Sequence, residues 1–248
     1  MKASSGTAAS VAGRECSVRM VLLGPPGVGK GTQGRRLAGQ RGWALISTGE
    51  MLRDAVAKGT PLGREAGRQM AAGELVGDDV MIGLVRERTA ERDARDGFVL
   101  DGFPRTVPQA DALDAMLAER VQALELALYL SAPEAELVRR LAGRLECPVC
   151  KRAYNRAEAR PRDGRHCDDH PEVELRARAD DAEPTVRKRL AVYREQTAPL
   201  VGYYARDGRL REVKGVGSED DVYDRIVSAM DGPKPAAPPR ASRAGGRK

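Results

Sequence analysis

The fold of this chain is decided by residues 24–32, which read Gly-Pro-Pro-Gly-Val-Gly-Lys-Gly-Thr. The apolar residues 18–23 before them predict a buried strand, and the pattern after them predicts a helix to about Gln40. In this context the glycines let backbone N–H groups converge on phosphate oxygens, and Lys30 is placed to reach the same phosphates. The stretch therefore predicts a phosphate-binding loop, although Gly31 separates Lys30 from the Thr32 hydroxyl, unlike in the strict motif.

Apolar strands alternate with helical patterns outward from this loop. Further strands are predicted at residues 98–100, 124–130 and 210–213. A capping-box pattern, Ser47 with Glu50 three residues on, predicts the start of a second helix. Strands separated by helices imply an α/β fold, a P-loop NTPase-like parallel sheet with flanking helices.

Length and charge distribution limit the classes of protein. The 248 residues suffice for one α/β domain, and 41% hydrophobic residues favour a folded core. The net charge of +6 belongs to the N-terminal extension 1–16 and to the basic, Pro/Ala-rich tail 232–248, so residues 17–231 are neutral. We expect a disordered tail, with tethering to an anionic surface as the alternative, and no nucleic-acid partner.

The sequence contains no apolar segment long enough for a membrane span and no apolar signal-peptide core, which indicates a cytoplasmic protein without a membrane partner. Its unevenly placed cysteines also suit a reducing compartment, where clustered thiols more often hold a metal than form disulfides. One of them, Cys16, stands alone.

The other cysteines form a metal-binding pattern. Cys147 and Cys150 make a C-x2-C knuckle, and after sixteen intervening residues Cys167 and His170 make a C-x2-H knuckle. Thiolate and imidazole ligands at this spacing predict a tetrahedral structural zinc site, with His166 or Asp169 as less well placed fourth ligands. The alternative is a degenerate segment with free thiols.

Several motifs together resemble those of the adenylate kinase family. They are the phosphate loop, residues 46–53 (Ile-Ser-Thr-Gly-Glu-Met-Leu-Arg), 100–106 (Leu-Asp-Gly-Phe-Pro-Arg-Thr), 186–190 (Val-Arg-Lys-Arg-Leu) and 198–204 (Ala-Pro-Leu-Val-Gly-Tyr-Tyr), and they run in order within Val18 to Met230. The resemblance implies a monomer that interconverts ATP and AMP with two ADP, using Mg²⁺. It also implies a CORE, an AMP-binding flap at 47–76 and a LID at 143–181. The LID is of the long zinc-bearing type, although many relatives have Cys or Asp in place of His170.

Site residues follow from the same resemblance. The catalytic residues it implies are Lys30, Asp101, Arg105, Arg144, Arg178 and Arg189. Those for ATP are Gly27, Val28, Gly29, Lys30, Gly31, Thr32, Arg140, Arg144, Ala153, Tyr154 and Gly217. Those for AMP are Thr48, Arg53, Glu74, Leu75, Val76, Gly102, Phe103, Pro104, Arg105, Gln109, Arg178 and Arg189.

Physical chemistry agrees with several of these roles. Phosphoryl transfer needs positioning and neutralisation of charge more than it needs acid–base groups, and arginine forks suit phosphate oxygens. The i, i+4 spacing of Arg140 and Arg144 predicts that both lie on one helix face. Asp101 is expected to hold Mg²⁺ through water, and Gln109 offers adenine a donor and an acceptor.

Each of these residues can also be explained without a functional role. A single arginine is usually a solvated surface cation, Asp101 also suits a turn before Gly102, and Gln109 also suits an exposed helix start. Two other functions compete at the level of the whole chain. One is a guanylate or pyrimidine nucleotide kinase on the same fold, and the other is a zinc-ribbon module that binds nucleic acid.

Overall fold

The computed structural model describes residues 18–157 and 159–232. Cys16, the N-terminal extension 1–16 and residues 233–248 of the basic tail lie outside the described residues. No helix within the described ranges combines the length and the apolar character that crossing a membrane requires.

A five-stranded, wholly parallel sheet lies at the centre of the molecule. Its strands, in spatial order, are β2 (Ala44–Ser47), β3 (Phe98–Asp101), β1 (Arg19–Leu23), β4 (Leu126–Ser131) and β7 (Leu210–Lys214). The register pairs Leu22 with Asp101 and Leu23 with Tyr129, so the carboxyl ends of β1, β3 and β4 meet at one edge. The predicted α/β fold is confirmed.

Helices cover both faces of this sheet. They are α1 (Lys30–Arg41), α2 (Thr48–Ala57), α3 (Pro61–Ala71), α4 (Asp78–Arg88), α5 (Val107–Ala118), α6 (Glu134–Ala142), α7 (Glu183–Val192), α8 (Pro199–Ala205) and α9 (Glu219–Asp231). A five-residue π-helix, Tyr193–Thr197, joins α7 to α8. Alternate residues of β1 point to opposite faces, so Val21 and Leu23 pack in one apolar core and Met20 and Leu22 in the other.

A smaller unit follows α6. Strands β5 (Arg144–Glu146) and β6 (Ala153–Asn155) pair antiparallel, and Glu146 also bridges to Arg176. Its apolar core is small and consists chiefly of Leu145, Tyr154 and Leu175 together with the buried thiols of Cys147 and Cys167. So few apolar side chains provide little burial energy for an independent core.

Three local predictions were incomplete or wrong. Strand β2 has only four residues and follows a helix closely, so its short apolar run gave no separate signal. Ser47 does precede α2, but its side chain makes no capping bond, and the Glu50 carboxylate that would complete a capping box pairs instead with Arg35 on α1 at 2.6 Å. Arg144 does not share a helix face with Arg140, because α6 ends at Ala142 and Arg144 begins β5.

The loop after α5 contains a strained residue. Val121 adopts φ 57° in a Schellman-type ending, where its N–H donates to Ala118 O and the N–H of Gln122 donates to Leu117 O. This left-handed conformation is unfavourable for a β-branched side chain. Val121 is also 97% exposed, so its side chain gains little from packing.

We expect Val121→Gly to raise the free energy of unfolding by about 0.5 to 1 kcal/mol, because relief of the left-handed strain exceeds the added entropy of the unfolded chain. Denaturant unfolding measures the change. The matched control is Val80→Gly, where the same substitution falls inside α4 and should lower stability. A loss of stability in Val121→Gly would show that the turn is not strained.

Candidate active site

A large cavity opens at the carboxyl ends of β1, β3 and β4. It has a volume of about 1260 Å³, which exceeds the range of about 300 to 1,000 Å³ typical of sites for one small ligand. Ligands of open parallel sheets bind at this edge, where strand order reverses. The predicted residues that line it are Gly27, Val28, Gly29, Lys30, Gly31, Thr32, Arg53, Glu74, Leu75, Asp101, Gly102, Pro104, Arg105, Arg140, Arg144, Ala153, Tyr154, Arg178, Arg189 and Gly217.

The loop at residues 24–32 forms the floor of this cavity. Gly24 adopts φ 141°, and a Cβ there would lie 2.5 Å from the Leu130 carbonyl oxygen. Gly27 adopts φ 84°, and its Cβ would lie 2.8 Å from the Leu141 side chain. Glycine is therefore required at both positions for the loop to curl against β4 and α6. The first turn of α1 then points its free N–H groups toward the cavity.

Lys30 is the cation of this loop. Its ammonium donates to the carbonyl oxygens of Gly24 at 2.6 Å and Pro25 at 3.0 Å. Burial lowers the pKa of Lys30 to about 8, an effect that Asp101 opposes and that the neighbouring Arg105 and Arg189 reinforce. Lys30 is thus a desolvated cation among other cations, and a bound phosphate would favour its charged form.

Arginines from distant parts of the chain converge on the same cavity and are held by carboxylates. Arg144 binds both oxygens of Asp181, at 2.6 and 2.7 Å. Arg189 contacts Asp180 and Asp181, each at 3.0 Å. Although burial raises the pKa of Asp180, the surrounding guanidinium groups hold it below its usual value.

The remaining arginines are less fully neutralised. Arg178 pairs with Glu146 of β5, but its buried Nε–H has no partner in the described part of the chain. Burial, together with Arg144 and Arg53, lowers the pKa of Arg178 to about 9. Burial also lowers the pKa of Arg53 and of Arg105. Such a cluster of desolvated cations has unmet capacity for anions, and the cavity is therefore chemically suited to phosphates.

The expected magnesium residue lies beside the phosphate loop. A Cβ at Gly31 would lie 3.4 Å from Asp101 Oδ2, so the carboxylate faces the first turn of α1. Thr32 lines the cavity on the same side. A carboxylate and a hydroxyl beside a phosphate site fit a hydrated Mg²⁺, which keeps several waters in such sites.

Four expected AMP-side residues do not line the cavity. Thr48, Val76, Phe103 and Gln109 are at most 6% exposed. Gln109 lies immediately behind Arg105, whose backbone N–H donates to Gln109 Oε1 at 2.7 Å. Motif register did not indicate how deep these side chains lie behind the cavity wall.

The predicted metal ligands come together in the smaller unit. Ligand atoms of Cys147, Cys150, Cys167 and His170 all lie within 4.8 Å of one another. The Cys150–Cys167 Sγ atoms are 3.6 Å apart, and His170 Nδ1 is 3.7 Å from Cys167 Sγ. A tetrahedron with metal–sulfur bonds of about 2.3 Å has edges of about 3.8 Å, so the group fits zinc.

The two alternative fourth ligands face other partners. His166 Nδ1 lies 2.6 Å from Asp163, and Asp169 pairs with Arg152 at 2.9 Å.

Lys151 closes the turn that leads from Cys147 and Cys150 to β6. It adopts φ 61° and donates its N–H to Cys147 O.

Sequence reasoning missed the acidic partners of the cationic cluster. Asp180, Asp181 and Glu146 were not predicted as partners of these arginines. Glu136, which binds Arg140 at 2.7 Å, was also missed. Its i, i+4 spacing from Arg140 was a usable signal, whereas the other pairs join residues 8 to 37 positions apart and carry no local pattern.

Comparisons with known proteins agree with this geometry. A family model described as Adenylate kinase matches residues 22–209. The adenylate kinase of Thermodesulfovibrio yellowstonii is 49% identical over 86% of this chain and 99% of that protein. Those of Syntrophobacter fumaroxidans and Archaeoglobus fulgidus are 46% and 44% identical, each over 86% of this chain, covering 100% and 98% of the relative. With this coverage and this cavity, the chain belongs to the adenylate kinase family and is a nucleoside monophosphate kinase.

Proposed function

We propose that the cavity binds ATP and AMP together and that its cations carry the phosphoryl transfer between them. The observation that supports this most directly is the convergence of Lys30 with Arg53, Arg105, Arg144, Arg178 and Arg189 on one cavity. A phosphate oxygen of AMP attacks the γ-phosphorus of ATP, and the bond from that phosphorus to the β-phosphate oxygen breaks. The product on each side is ADP. No catalytic base is needed, because the attacking phosphate oxygen is already ionised.

The two nucleotides occupy opposite sides of the cavity in this proposal. ATP lies over residues 27–32, with its base near Arg140, Ala153, Tyr154 and Gly217. Arg140 donates to Gly215 O at 2.9 Å, which places its guanidinium beside that segment. AMP lies against Arg53, Glu74, Leu75 and residues 102–105, and its base faces the layer that contains Thr48, Val76 and Gln109.

The charges act chiefly on the transferring group. Arg144, Arg178 and Arg189 neutralise its equatorial oxygens, and Lys30 neutralises the β- and γ-phosphates. Asp101 and Thr32 would hold the Mg²⁺ that enters with ATP, and the ion would supply further charge neutralisation. Since these groups are held in place before substrate arrives, they need little reorganisation in the transition state.

Closure of two segments over the nucleotides is part of the same proposal. These are the AMP-binding flap at 47–76 and the LID at 143–181. Lys151 of the LID pairs with Asp54 of the flap at 3.4 Å, and Lys188 of α7 pairs with Glu74 of the flap at 2.7 Å. These contacts between exposed side chains are weak, which is compatible with repeated opening.

The proposal also covers the oligomeric state, the partners and the cellular compartment. The proposal includes a monomer that works on the small-molecule nucleotides ATP, AMP and ADP, without a nucleic-acid or membrane partner. The described cysteines are free thiols gathered as ligands, which supports a reducing, cytoplasmic setting.

We propose a structural zinc ion held by Cys147, Cys150, Cys167 and His170. Four protein ligands close a tetrahedral site and leave no position for a reacting water. The apolar core around them is small, so the metal would supply much of the stability of this unit. No step of phosphoryl transfer passes through it.

The first test concerns Lys30. We expect Lys30→Met to lower kcat by at least about 100-fold, because a preorganised charge next to the transferring group is lost. A coupled assay of ADP formation from ATP and AMP measures this, and circular dichroism checks the fold. Lys58→Met is the matched control, since Lys58 is exposed and outside the cavity, and it should keep its activity. Normal turnover in folded Lys30→Met would remove Lys30 from the catalytic set.

The second test uses the pKa of Lys30. With a pKa of about 8 in the free protein, this ammonium is half deprotonated at pH 8. Bound phosphate raises the pKa, so ATP binding should take up about half a proton at pH 8 and much less at pH 6. Calorimetry in buffers of different ionisation enthalpy measures the uptake. It should decrease in Lys30→Met, and equal uptake in that variant would assign the proton to another group.

The third test separates structural from catalytic use of zinc. Cys150→Ser, or removal of the metal by a chelator, should lower Tm while activity at low temperature largely remains, because the phosphate-handling residues are not ligands. Elemental analysis should give one zinc per chain. His166→Ala is the control and should change zinc content little. Immediate loss of turnover on chelation without loss of stability would contradict the structural role.

A further inference from the structure

The side-chain amide of Gln109 is held from both sides by groups that permit only one orientation. The backbone N–H of Arg105 can only donate, and Gln109 Oε1 accepts it at 2.7 Å. The ionised carboxylate of Asp78 can only accept, and Gln109 Nε2 donates to its Oδ1 at 2.6 Å. A flipped amide would set N–H against N–H and carbonyl oxygen against carboxylate, so the network itself assigns the orientation.

Asp78 is well placed to hold this amide. It is the first residue of α4, immediately after the flap, and its second oxygen accepts the Thr106 hydroxyl at 2.9 Å. Thr106 in turn caps α5 by accepting the N–H of Gln109 at 3.3 Å. The Thr106 hydroxyl therefore holds one oxygen of the Asp78 carboxylate, and the other oxygen holds the amide of Gln109.

Each atom of the amide keeps one hydrogen-bonding valence. Nε2 carries a second hydrogen and Oε1 a second lone pair. Asp78 and Arg105 fix which side of the amide carries the oxygen and which carries the NH₂ group. Gln109 is 1% exposed behind the wall that Arg105 forms, so a base reaches it only when the flap rearranges, as the proposed closure cycle allows.

This fixed arrangement of the amide oxygen and NH₂ group suits one class of purine. A 6-aminopurine places an amino donor next to a ring-nitrogen acceptor, and an amide binds the pair with its oxygen facing the amine and its NH₂ facing the ring nitrogen. A 6-oxopurine places a carbonyl acceptor where that amine would be. The fixed amide oxygen then faces another oxygen, whereas a freely flipping amide could turn and bind it.

We propose that Asp78 is a positioning residue that fixes the Gln109 amide and thereby favours 6-aminopurine over 6-oxopurine monophosphates. This rests on the proposed function of Gln109 as a reader of the base. Asp78 itself does not touch the nucleotide. Its effect is therefore expected in the selectivity between acceptor nucleotides rather than in the transfer step.

The experiment compares kcat/KM for AMP with kcat/KM for IMP at saturating ATP. In Asp78→Ala the AMP-to-IMP ratio should fall about tenfold, which corresponds to loss of one orientation-dependent hydrogen bond. The matched control is Asp79→Ala, which removes the same charge from the same helix turn at an exposed position and should leave the ratio unchanged. Because both rates come from one preparation, partial unfolding does not alter the ratio.

Two further variants make each outcome decisive. Asp78→Asn keeps an acceptor for Gln109 and offers its amide to the Thr106 oxygen, so it should keep a ratio near that of the unsubstituted protein. A ratio as low as that of Asp78→Ala would show that charge rather than orientation is responsible, which would overturn the inference.

Gln109→Leu separates this inference from the function on which it rests. If Gln109→Leu lowers the ratio and Asp78→Ala does not, the base-reading role stands and the positioning role of Asp78 fails. If Gln109→Leu leaves the ratio unchanged, the base-reading role fails and the inference fails with it. If both variants lower the ratio and the double variant lowers it no further, the two residues act as one unit, as proposed.

Discussion

Mutual repulsion among buried cations is the constraint on which the rest of this structure depends. Lys30, Arg105, Arg178 and Arg189 all lose solvation in the cavity, and burial depresses the pKa of each. Desolvated like charges remain together only if other groups hold them. Here the carboxylates of Asp101, Asp180, Asp181 and Glu146 hold the cluster, so its donors are already oriented.

The parallel sheet makes this gathering possible. Strands β1, β3 and β4 end at one edge, so the phosphate loop, Asp101 and the start of α6 lie side by side although they are far apart in sequence. The glycines at positions 24 and 27 let the loop pass within contact distance of β4 and α6. The two apolar cores keep the sheet rigid, and the polar site is built on that rigid edge.

The smaller unit differs from the sheet in the size of its apolar core. It brings Arg144 and Arg178 to the cavity, yet its own core includes only a few apolar side chains and two buried thiols. In the proposed function, a metal held by Cys147, Cys150, Cys167 and His170 would stabilise this unit without a large core.

The sequence by itself determined the phosphate loop, four strands of the sheet and the spacing of the Cys and His cluster, whereas the cationic residues came from the family resemblance. These features depend on local patterns: a glycine-rich turn between strand and helix, apolar runs, and cysteine knuckles. Only the tertiary structure decided which acid holds each arginine, that Arg144 lies on a strand, that Glu50 pairs with Arg35, and that Gln109 lies behind Arg105 with its amide fixed by Asp78. Those contacts join side chains from separate elements, and packing brings such elements together without leaving a periodic pattern in the sequence.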